Sequence, residues 1–253
     1  MSGRFSSTCH VQLLGCFALS VDGRLVELGG REERVLALLA LRGPQRRSVL
    51  AGTLWPDTTE DRALSSLRAA VMRLRRVGED LVDAGRSRIS LGSRTTTDVT
   101  ELDRRLEEVE RLEEVERLGD DVWLSTSGSL TVLAGPELLP GWYDDWVLDE
   151  RDALQHRQIR ALESWARMAL KAGRGGLAGA LAERAIALEP LLESTQALLI
   201  RAHLMEGNPA AAVQVYRSYC RRLGEELGIR PSSSLTDLIG STGFVPPTAA
   251  ARA

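Results

Sequence analysis

Short apolar runs separated by polar residues open the chain and predict three β-strands. The runs lie at 11–13, 17–21 and 25–26. Asp22 and Gly23 separate the second run from the third. This pair is a strong signal for a two-residue hairpin, because a type I′ turn needs positive φ at both central positions. The opening is therefore predicted as three strands with a tight turn between the last two.

The apolar pattern then changes to helical spacing and predicts two helices. The segment EERVLALLALRG, residues 32–43, has acids in its first turn, apolar residues through its length and Gly43 at its end. These features are typical of a complete helix with its stop signal. The segment RRSVLAGTLWP, residues 46–56, predicts a second, short helix with Ser48 as N-cap and Pro56 as its end.

A third helix is predicted over residues 61–76, DRALSSLRAAVMRLRR. Thr58, followed three residues later by Asp61, resembles a capping box at its start. Apolar residues at spacings of three and four form one stripe: Leu64, Leu67, Val71 and Leu74. The opposite face carries small and basic residues: Ser65, Arg68, Ala69, Met72, Arg73 and Arg76. After Asp61 this helix contains five arginines and no acidic residue.

A second hairpin is predicted over residues 81–92, LVDAGRSRISLG, with its turn at Gly85 to Ser87. The order of strands, two helices, a basic helix and a hairpin is the layout of a winged helix-turn-helix. In that layout the third helix enters a DNA major groove about 12 Å wide, and the hairpin forms the wing.

The residue types on the third helix suit such a role. Small side chains at Ser65 and Ala69 allow a close approach to the groove. Three arginines have the length to contact phosphates or guanine edges: Arg68, Arg73 and Arg76. Arg86 and Arg88 on the wing are suited to the DNA backbone. The alternative is an ordinary solvated basic face, which the presence of helix, turn and wing in order makes the weaker interpretation.

From Asp98 onward the pattern predicts long helices. Residues 98–119 contain a tandem RLEEVE and mixed charges at helical spacing. A solvent-facing helix with i,i+4 ion pairs is the preferred interpretation, and a short coiled-coil seam is the alternative. Residues 119–141 are expected to be irregular. Residues 141–173 predict a turn into a long helix, with aromatic side chains that anchor the turn in the core: Trp142, Tyr143 and Trp146.

A repeat of 34 residues follows, since a shift of that length pairs Trp165 with Leu199 and Gly173 with Gly207. Thirty-four residues is the tetratricopeptide period, in which each unit is a pair of antiparallel helices joined by a tight turn. Gly173 and Gly207 are predicted to mark these turns. Stacked helix pairs of this kind leave a groove for a partner. The fold class is therefore mainly α with a small β part, a winged helix-turn-helix followed by an all-α tetratricopeptide-like domain.

Composition and charge support two modules. The 253 residues are 43% apolar and 26% charged, as in a globular protein. Residues 1–97 contain 15 arginines and 10 acids, whereas the remaining residues are acidic overall. We therefore expect a DNA-binding domain at 1–97, a helical domain at 98–240 and a disordered tail at 241–253. No apolar run suits a membrane span, no secretion signal opens the chain, and three scattered cysteines indicate reduced thiols in a cytoplasmic protein.

No catalytic constellation is recognisable. The three histidines are isolated, and no GxSxG motif occurs. The Gly-rich segment at 173–179 lacks the GK[ST] of a phosphate-binding loop and is expected to be a turn. Asp144 and Asp145 are adjacent and do not face each other on a helix, so an N-cap role is preferred. We expect no enzyme activity, no catalytic residue, no metal site and no cofactor.

Four segments together resemble the Streptomyces antibiotic regulatory protein family, at residues 14–41, 54–76, 138–166 and 187–232. The likeness extends over about residues 10 to 240, and its Trp-Pro-Asp, Leu-Arg and Asp-Asp-Trp segments are specific in combination. It implies a winged-helix domain of the response-regulator output type joined to a bacterial transcriptional activation domain. It also implies a short-form member, because the larger members add an ATPase module for which these 253 residues leave no room.

The resemblance further implies an activator that binds direct repeats near a promoter −35 element, in an antibiotic gene cluster. We also expect a homodimer on double-stranded DNA, because the small DNA interface of a single winged-helix module limits specific affinity. The resemblance places the recognition surface on seven residues of the third helix: Ser65, Ser66, Arg68, Ala69, Met72, Arg73 and Arg76. It implies recruitment of RNA polymerase holoenzyme through its σ factor, or through the C-terminal domain of the α subunit. The contact loop would be Asp57, Thr58, Thr59, Glu60 and Asp61.

One departure from the family and one alternative function bear on these expectations. Many relatives have a polar residue where this chain has Met72, so a base preference is not carried over. The alternative function is a helical-repeat adaptor that binds protein and has no specific DNA affinity. The predicted wing and the basic first third of the chain favour the activator. Its expected location is the cytoplasm, associated with the nucleoid and not with a membrane.

Overall fold

The computed structural model describes residues 8–112, 135–240 and Gly243. The chain forms two compact units. The first contains residues up to Arg104 together with Gly135–Ala153, and the second contains Arg105–Ala134 and Leu154–Ala253. The first unit thus includes a second segment beyond the predicted boundary at residue 97. The predicted tail at 241–253 lies outside the described residues, apart from Gly243.

A four-stranded sheet begins the first unit, with strand order β3-β2-β1-β7. Its strands are β1 (Cys9–Gln12), β2 (Ala18–Val21), β3 (Arg24–Val26) and β7 (Thr95–Thr97). The Asp22-Gly23 turn joins β2 to β3 with φ values of 50° and 77°, which confirms the predicted hairpin. The first three strands are antiparallel, whereas β7 runs parallel to β1. Strand β7 was not predicted, because its run of threonines carries no apolar alternation.

Three helices follow as predicted, with bounds that differ by a few residues. They are α1 (Gly30–Arg42), α2 (Arg47–Leu54) and α3 (Glu60–Val77). The predicted cap of α2 is wrong, because Arg46 precedes the helix in an extended conformation and Ser48 lies inside its first turn. The predicted capping box of α3 is also wrong. Thr59 is the N-cap and forms no side-chain cap bond, while the Thr58 hydroxyl donates to the carbonyl of Trp55 at 3.1 Å.

The predicted wing is confirmed as an antiparallel pair, β5 (Val82–Ala84) and β6 (Arg88–Leu91). A short strand, β4 (Gln45–Arg46), pairs with β6 and completes a three-stranded sheet of order β4-β6-β5. Strand β4 explains the capping error at α2, since the chain passes from a paired strand directly into the helix. The wing is therefore joined by backbone hydrogen bonds to the start of α2.

The helices of the first unit pack through a shared apolar core. Val35 to Leu39 of α1 are buried, as are three of the four predicted stripe residues of α3: Leu67, Val71 and Leu74. The fourth, Leu64, is only half-buried, so that prediction is wrong for this position. Ala63 and Ala70 take its place in the core. The buried stripe of α3 is thus rotated away from Leu64, which lies instead beside an open hollow.

The segment 135–153 packs against the first unit around Leu138 and Leu139, both of which are buried. Leu138 bridges to Leu14 of the first unit. Arg151 holds the turn, because its guanidinium donates to three backbone carbonyls at 2.8 to 3.2 Å: those of Leu138, Leu139 and Trp142. The position of this segment explains why the first unit extends beyond residue 97.

The aromatic residues of this segment differ in role. Trp146 is buried, and Trp142 stacks on Phe17 with ring centroids 5.8 Å apart. Tyr143 is 78% exposed, so its predicted anchoring role is wrong. The backbone carbonyl of Asp144 accepts the first helical hydrogen bonds of α5, as an N-cap does, while its carboxylate pairs with Arg34. The Asp144 side chain is therefore occupied by an ion pair.

The other helices of the described residues are α4 (Asp98–Leu112), α5 (Asp145–Lys171), α6 (Gly175–Leu188), α7 (Glu193–Met205), α8 (Pro209–Leu227) and α9 (Ser233–Gly240). Helix α4 has the predicted ion pairs, including Arg111 with Glu107 four residues apart. It is not wholly solvent-facing, since it buries an apolar stripe: Val99, Leu102, Leu106 and Val109. The second RLEEVE, residues 111–116, lies outside the described residues except for its first two positions.

Glycines 34 residues apart mark corresponding turns in the second unit, as predicted. Gly173 follows α5 with φ at 73°, and Gly207 follows α7 with φ at 69°. Of the Gly-rich segment at 173–179, only Gly173 and Arg174 form the predicted turn, because residues 175–179 are already the first part of α6. The start of α6 is occupied from within the unit, because the Glu206 carboxylate accepts the N–H of Gly176 at 3.0 Å. The tetratricopeptide likeness itself stays a prediction.

Within the described residues, no helix has the length and apolar character that a bilayer span requires.

Candidate nucleic-acid interface

The outer face of α3 presents the residues predicted for recognition. Five of them are exposed: Ser65, Arg68, Met72, Arg73 and Arg76. Ser66 and Ala69 are half-buried and small, so few side-chain atoms project from the helix between the exposed residues. The Arg76 guanidinium lies 3.9 Å from the Met72 sulfur. Four of the five, all except Arg73, recur every three or four positions and therefore share one side of the helix.

Arginines from three elements surround an open hollow beside this helix. The hollow is lined by Arg68 from α3, Arg86 from the wing turn, and the pair Arg46 and Arg47 at the junction of β4 and α2. Leu64, Ser48 and Ser87 complete the lining. Within the described part of the chain, no carboxylate pairs with Arg46, Arg68 or Arg86. Positive charge of this density without a protein partner is suited to an anionic ligand such as phosphate.

Arg46 was missed by the sequence analysis, and strand pairing is what reveals it. It stands directly opposite Arg88 in the β4–β6 ladder. Like charges opposite each other in a sheet are destabilising. The chain nevertheless has both arginines exposed at this point. The adjacent pair Arg46-Arg47 before a predicted helix was the one local signal of a basic site. Nothing in the local pattern predicts that Arg46 pairs with a strand of the wing.

Arg47 has a structural task in the same place. Its guanidinium donates to the Gly85 carbonyl at 3.1 and 3.3 Å, and its backbone N–H donates to Ser87 at 3.2 Å. The start of α2 is thereby tied to the turn of the wing. Ser48, in the first turn of α2, lines the hollow. The free N–H groups of a helix start add to positive potential nearby.

Arg73 differs from the other predicted recognition residues. Its Nε donates to Oε1 of Glu32 at 2.6 Å. The Glu32 side chain, in the first turn of α1, is only 7% exposed, whereas that of Arg73 is 52% exposed. Arg73 therefore belongs to an ion pair between α1 and α3.

The predicted polymerase-contact loop is exposed along its whole length: Asp57, Thr58, Thr59, Glu60 and Asp61. In the described portion of the protein, the three carboxylates of this loop form no ion pair. Glu60 and Asp61 begin α3, where negative charge is favoured by the free N–H groups of the helix start. The loop is thus both a helix start and an acidic surface.

No metal centre accompanies these residues. Over 8–112 and 135–240, no group of three histidine, cysteine, aspartate or glutamate side chains lies close enough to hold a metal ion. Of the predicted site residues, the structure brings Arg68 and Arg86 to one hollow and adds Arg46. Arg88 stands beside them in the ladder, whereas Arg73 is turned to α1.

The fold and the site together define a winged helix-turn-helix protein with a second unit whose described elements are helices. The family model described as the bacterial transcriptional activator domain matches residues 97–241. The match covers more than half of the chain, and the protein belongs to this family. The family is one of transcriptional regulators and not of enzymes.

Two known proteins are similar over most of this chain. Regulatory protein AfsR of Streptomyces griseus is 29% identical over 224 residues, which are 85% of this chain and 22% of AfsR. The structure of Mycobacterium tuberculosis EmbR in complex with a low affinity phosphopeptide superposes with a TM-score of 0.71 and 21% identity. The superposition covers 93% of this chain and 65% of the EmbR chain.

These likenesses confirm the resemblance to the Streptomyces antibiotic regulatory proteins and the predicted fold. The chain spans about a fifth of the length of AfsR and about two thirds of the EmbR chain.

Proposed function

We propose that this protein binds duplex DNA sequence-specifically through its first unit and activates transcription from nearby promoters. The observation that carries the proposal is the arginine hollow, where α3, the wing and the β4–α2 junction meet. Family membership and the winged-helix fold support the same conclusion. Under the alternative, a protein-binding adaptor, unpaired arginines from three separate elements have no reason to surround one hollow.

The proposed docking follows from the shape and charge of α3. Its outer face combines small residues, which allow close approach, with the long side chains of Arg68 and Arg76. Arginine bonds to guanine edges or to phosphates according to its position in the groove. Arg46 and Arg86 line the hollow beside α3, and Arg88 stands opposite Arg46 in the ladder. All three are suited to the phosphates that border the groove. Phosphate contacts position the protein, and the outer face of α3 reads sequence.

Replacement of Arg86 by alanine tests this proposal. An operator is first selected from a random duplex library, and affinity is then measured by fluorescence anisotropy at several salt concentrations. Arg86→Ala should weaken binding to specific and random duplexes alike and lower the salt slope by about one, as for a lost phosphate contact. The matched control is Arg160→Ala, an exposed arginine of the second unit, which should change neither. Wild-type protein without duplex affinity at low salt would contradict the proposal.

We further propose that the exposed acidic loop at Asp57–Asp61 contacts RNA polymerase. Its carboxylates have no protein partner within the described residues, and they lie at the start of α3. Exposed charges of this kind pair with basic surfaces in contacts that weaken with salt. The σ factor and the C-terminal domain of the α subunit are the candidate partners.

Replacement of Glu60 by glutamine tests the polymerase contact. The change removes one charge and retains the side-chain length, so α3 loses no more than about 1 kcal/mol of helix-end stabilisation. Transcription from the selected operator in vitro should fall several-fold while DNA affinity stays unchanged. The control is Glu225→Gln, at an exposed glutamate of α8. An equal fall in transcription and DNA affinity would show that the loop serves only α3.

We propose in addition that two copies bind direct repeats near a −35 element. A single winged-helix module buries about 600 to 1,000 Å² on DNA, which limits its specific affinity. A second copy at an adjacent half-site raises the effective concentration of the first. Footprints should then cover two half-sites in the same orientation. The resemblance to Streptomyces antibiotic regulatory proteins extends the proposal to secondary-metabolite genes and to a cytoplasmic, nucleoid-associated protein.

A further inference from the structure

Glu32 is a buried acidic residue whose partner lies on the recognition helix. Its residue surface is 6% exposed, and its Oε1 accepts the Nε hydrogen of Arg73 at 2.6 Å. Glu32 lies in the first turn of α1, and Arg73 lies in the C-terminal half of α3. A buried carboxylate without a positive partner is strongly destabilising. Among the described residues, Arg73 is the side chain that supplies this charge.

The position of the Glu32 carboxylate is set by the start of α1. Its backbone N–H bonds to the Gly29 carbonyl at 2.9 Å, as in a helical first turn. Its other carboxylate oxygen lies above Gly29, only 2.6 Å from where a β-carbon would stand. The carboxylate thus turns back over the helix start, where free N–H groups favour negative charge. A carboxylate held in this way is a defined point for Arg73 to bind.

We propose that Arg73 is a positioning residue that sets the orientation of α3 through Glu32 and does not read a base. The proposal rests on the proposed DNA binding of the first unit. Helix α1 packs against α3, and the ion pair adds a directional contact to that packing. Successive residues of a helix are about 100° apart, so Arg73 lies beside the face that carries Met72 and Arg76. The ion pair fixes the orientation of α3 about its own axis, so that the face with Met72 and Arg76 is directed toward the DNA groove.

Glu32→Gln separates the two roles of Arg73 because they predict opposite results. If Arg73 contacts DNA, removal of its carboxylate partner releases it, and operator affinity stays equal or rises. If Arg73 positions α3, operator affinity should fall by about tenfold, while affinity for random duplex changes by less than about twofold. Glu32 is buried, so its own contact with DNA does not enter the comparison. Unchanged or tighter operator binding by Glu32→Gln overturns the proposal.

Arg73→Ala supplies a second measurement, with Arg76→Ala as the matched comparison on the same helix. Arg73→Ala should leave the salt slope of binding unchanged and weaken sequence preference at several operator positions together. Arg76→Ala should instead lower the salt slope by about one or relax preference at a single base pair. A fall in slope, or relaxed preference at one position, for Arg73→Ala overturns the proposal. This measurement remains decisive if Glu32→Gln does not fold.

A double-mutant cycle tests the coupling between Glu32 and Arg73 without DNA. Unfolding by urea and amide hydrogen exchange in α3 are measured for Glu32→Gln, Arg73→Ala and the double variant. We expect the double variant to exchange no faster than the more affected single variant, since each residue acts through the other. Additive effects overturn the positioning role. If the cycle shows coupling and the wild-type protein binds no duplex, the link between α1 and α3 stands and the proposed DNA binding fails.

Discussion

The arginines of the proposed DNA interface differ most in whether a carboxylate pairs with them. Arg68 and Arg86 have no carboxylate within the described residues, whereas Arg73 has Glu32 at 2.6 Å. The sequence predicts all three arginines on one basic surface, and only the side chains that surround each of them in the fold distinguish their roles. Met72 is a different kind of residue, because it is apolar and 56% exposed on an otherwise polar face. An exposed apolar side chain on a recognition helix is suited to the methyl group of thymine.

Met72 is therefore expected to favour one thymine of the operator. Replacement of that thymine by deoxyuridine removes the methyl group and should weaken binding about fourfold, since a buried methyl contributes about 0.8 kcal/mol. Met72→Ala should bind the two duplexes equally. Anisotropy titrations with deoxyuridine at each operator position provide the measurement. If no position responds in the wild-type protein, Met72 does not contact a thymine methyl.

At the scale of elements, the wing depends on close backbone contact at its base. Gly92 follows β6, and its N–H donates to the Leu81 carbonyl at 3.0 Å. A β-carbon at Gly92 would stand 1.6 Å from the carbonyl oxygen of Asp80, closer than any contact allows. The hairpin therefore requires glycine at its exit for steric reasons. The sequence shows this glycine at the end of an apolar run, but the Asp80 carbonyl is brought to it by strand pairing.

Gly92→Ala should destabilise the first unit by about 1 to 3 kcal/mol or more, as overpacking against a rigid neighbour does. The matched control is Gly52→Ala in the middle of α2, where a β-carbon meets nothing within 4 Å. That substitution should stabilise by up to about 1 kcal/mol through helix propensity. Urea unfolding of both variants checks the pair. Equal free energies of unfolding for the two variants would mean that the backbone at the base of the wing can move to accept the β-carbon, and would contradict the prediction.

For the whole molecule, the cysteines report on the two units separately. Cys9 is buried in β1, Cys220 is half-buried in α8, and Cys16 is exposed. Burial raises the pKa of the Cys9 thiol, and the charges of Asp22 and Asp80 raise it further. Burial also raises the pKa of the Cys220 thiol. A raised pKa means that less of each thiol is in the reactive thiolate form at a given pH.

Alkylation by iodoacetamide at pH 8 should therefore label Cys16 first, and Cys9 and Cys220 much more slowly. Because their pKa values are raised, the slow rates should continue to increase above the pH at which an ordinary thiol is fully ionised. Mass spectrometry of the labelled peptides gives the three rates. In denaturant, Cys9 reports unfolding of the first unit, and Cys220 reports unfolding of the second. Labelling of Cys9 as fast as Cys16 in native protein would contradict its buried position.

The elements with local signals were predictable from the sequence. The Asp22-Gly23 turn depends on two residues that tolerate positive φ, and α1 and α3 depend on apolar spacing within one segment. The turn glycines at 173 and 207 follow from the same kind of signal. For these elements the sequence determines the structure because the interactions that define them lie within a few residues along the chain.

Tertiary structure decided the features that depend on distant residues. Strand β7 pairs with β1 across more than 80 residues, and the segment 135–153 joins the rest of the first unit through Leu138 and Trp142. The same holds for the interface, where Arg46 meets the wing only through the β4–β6 ladder. Arg73 finds Glu32 only when α1 packs on α3. Charge and period along a sequence indicate which residues face outward, but the partner of each is chosen by the packing of the elements.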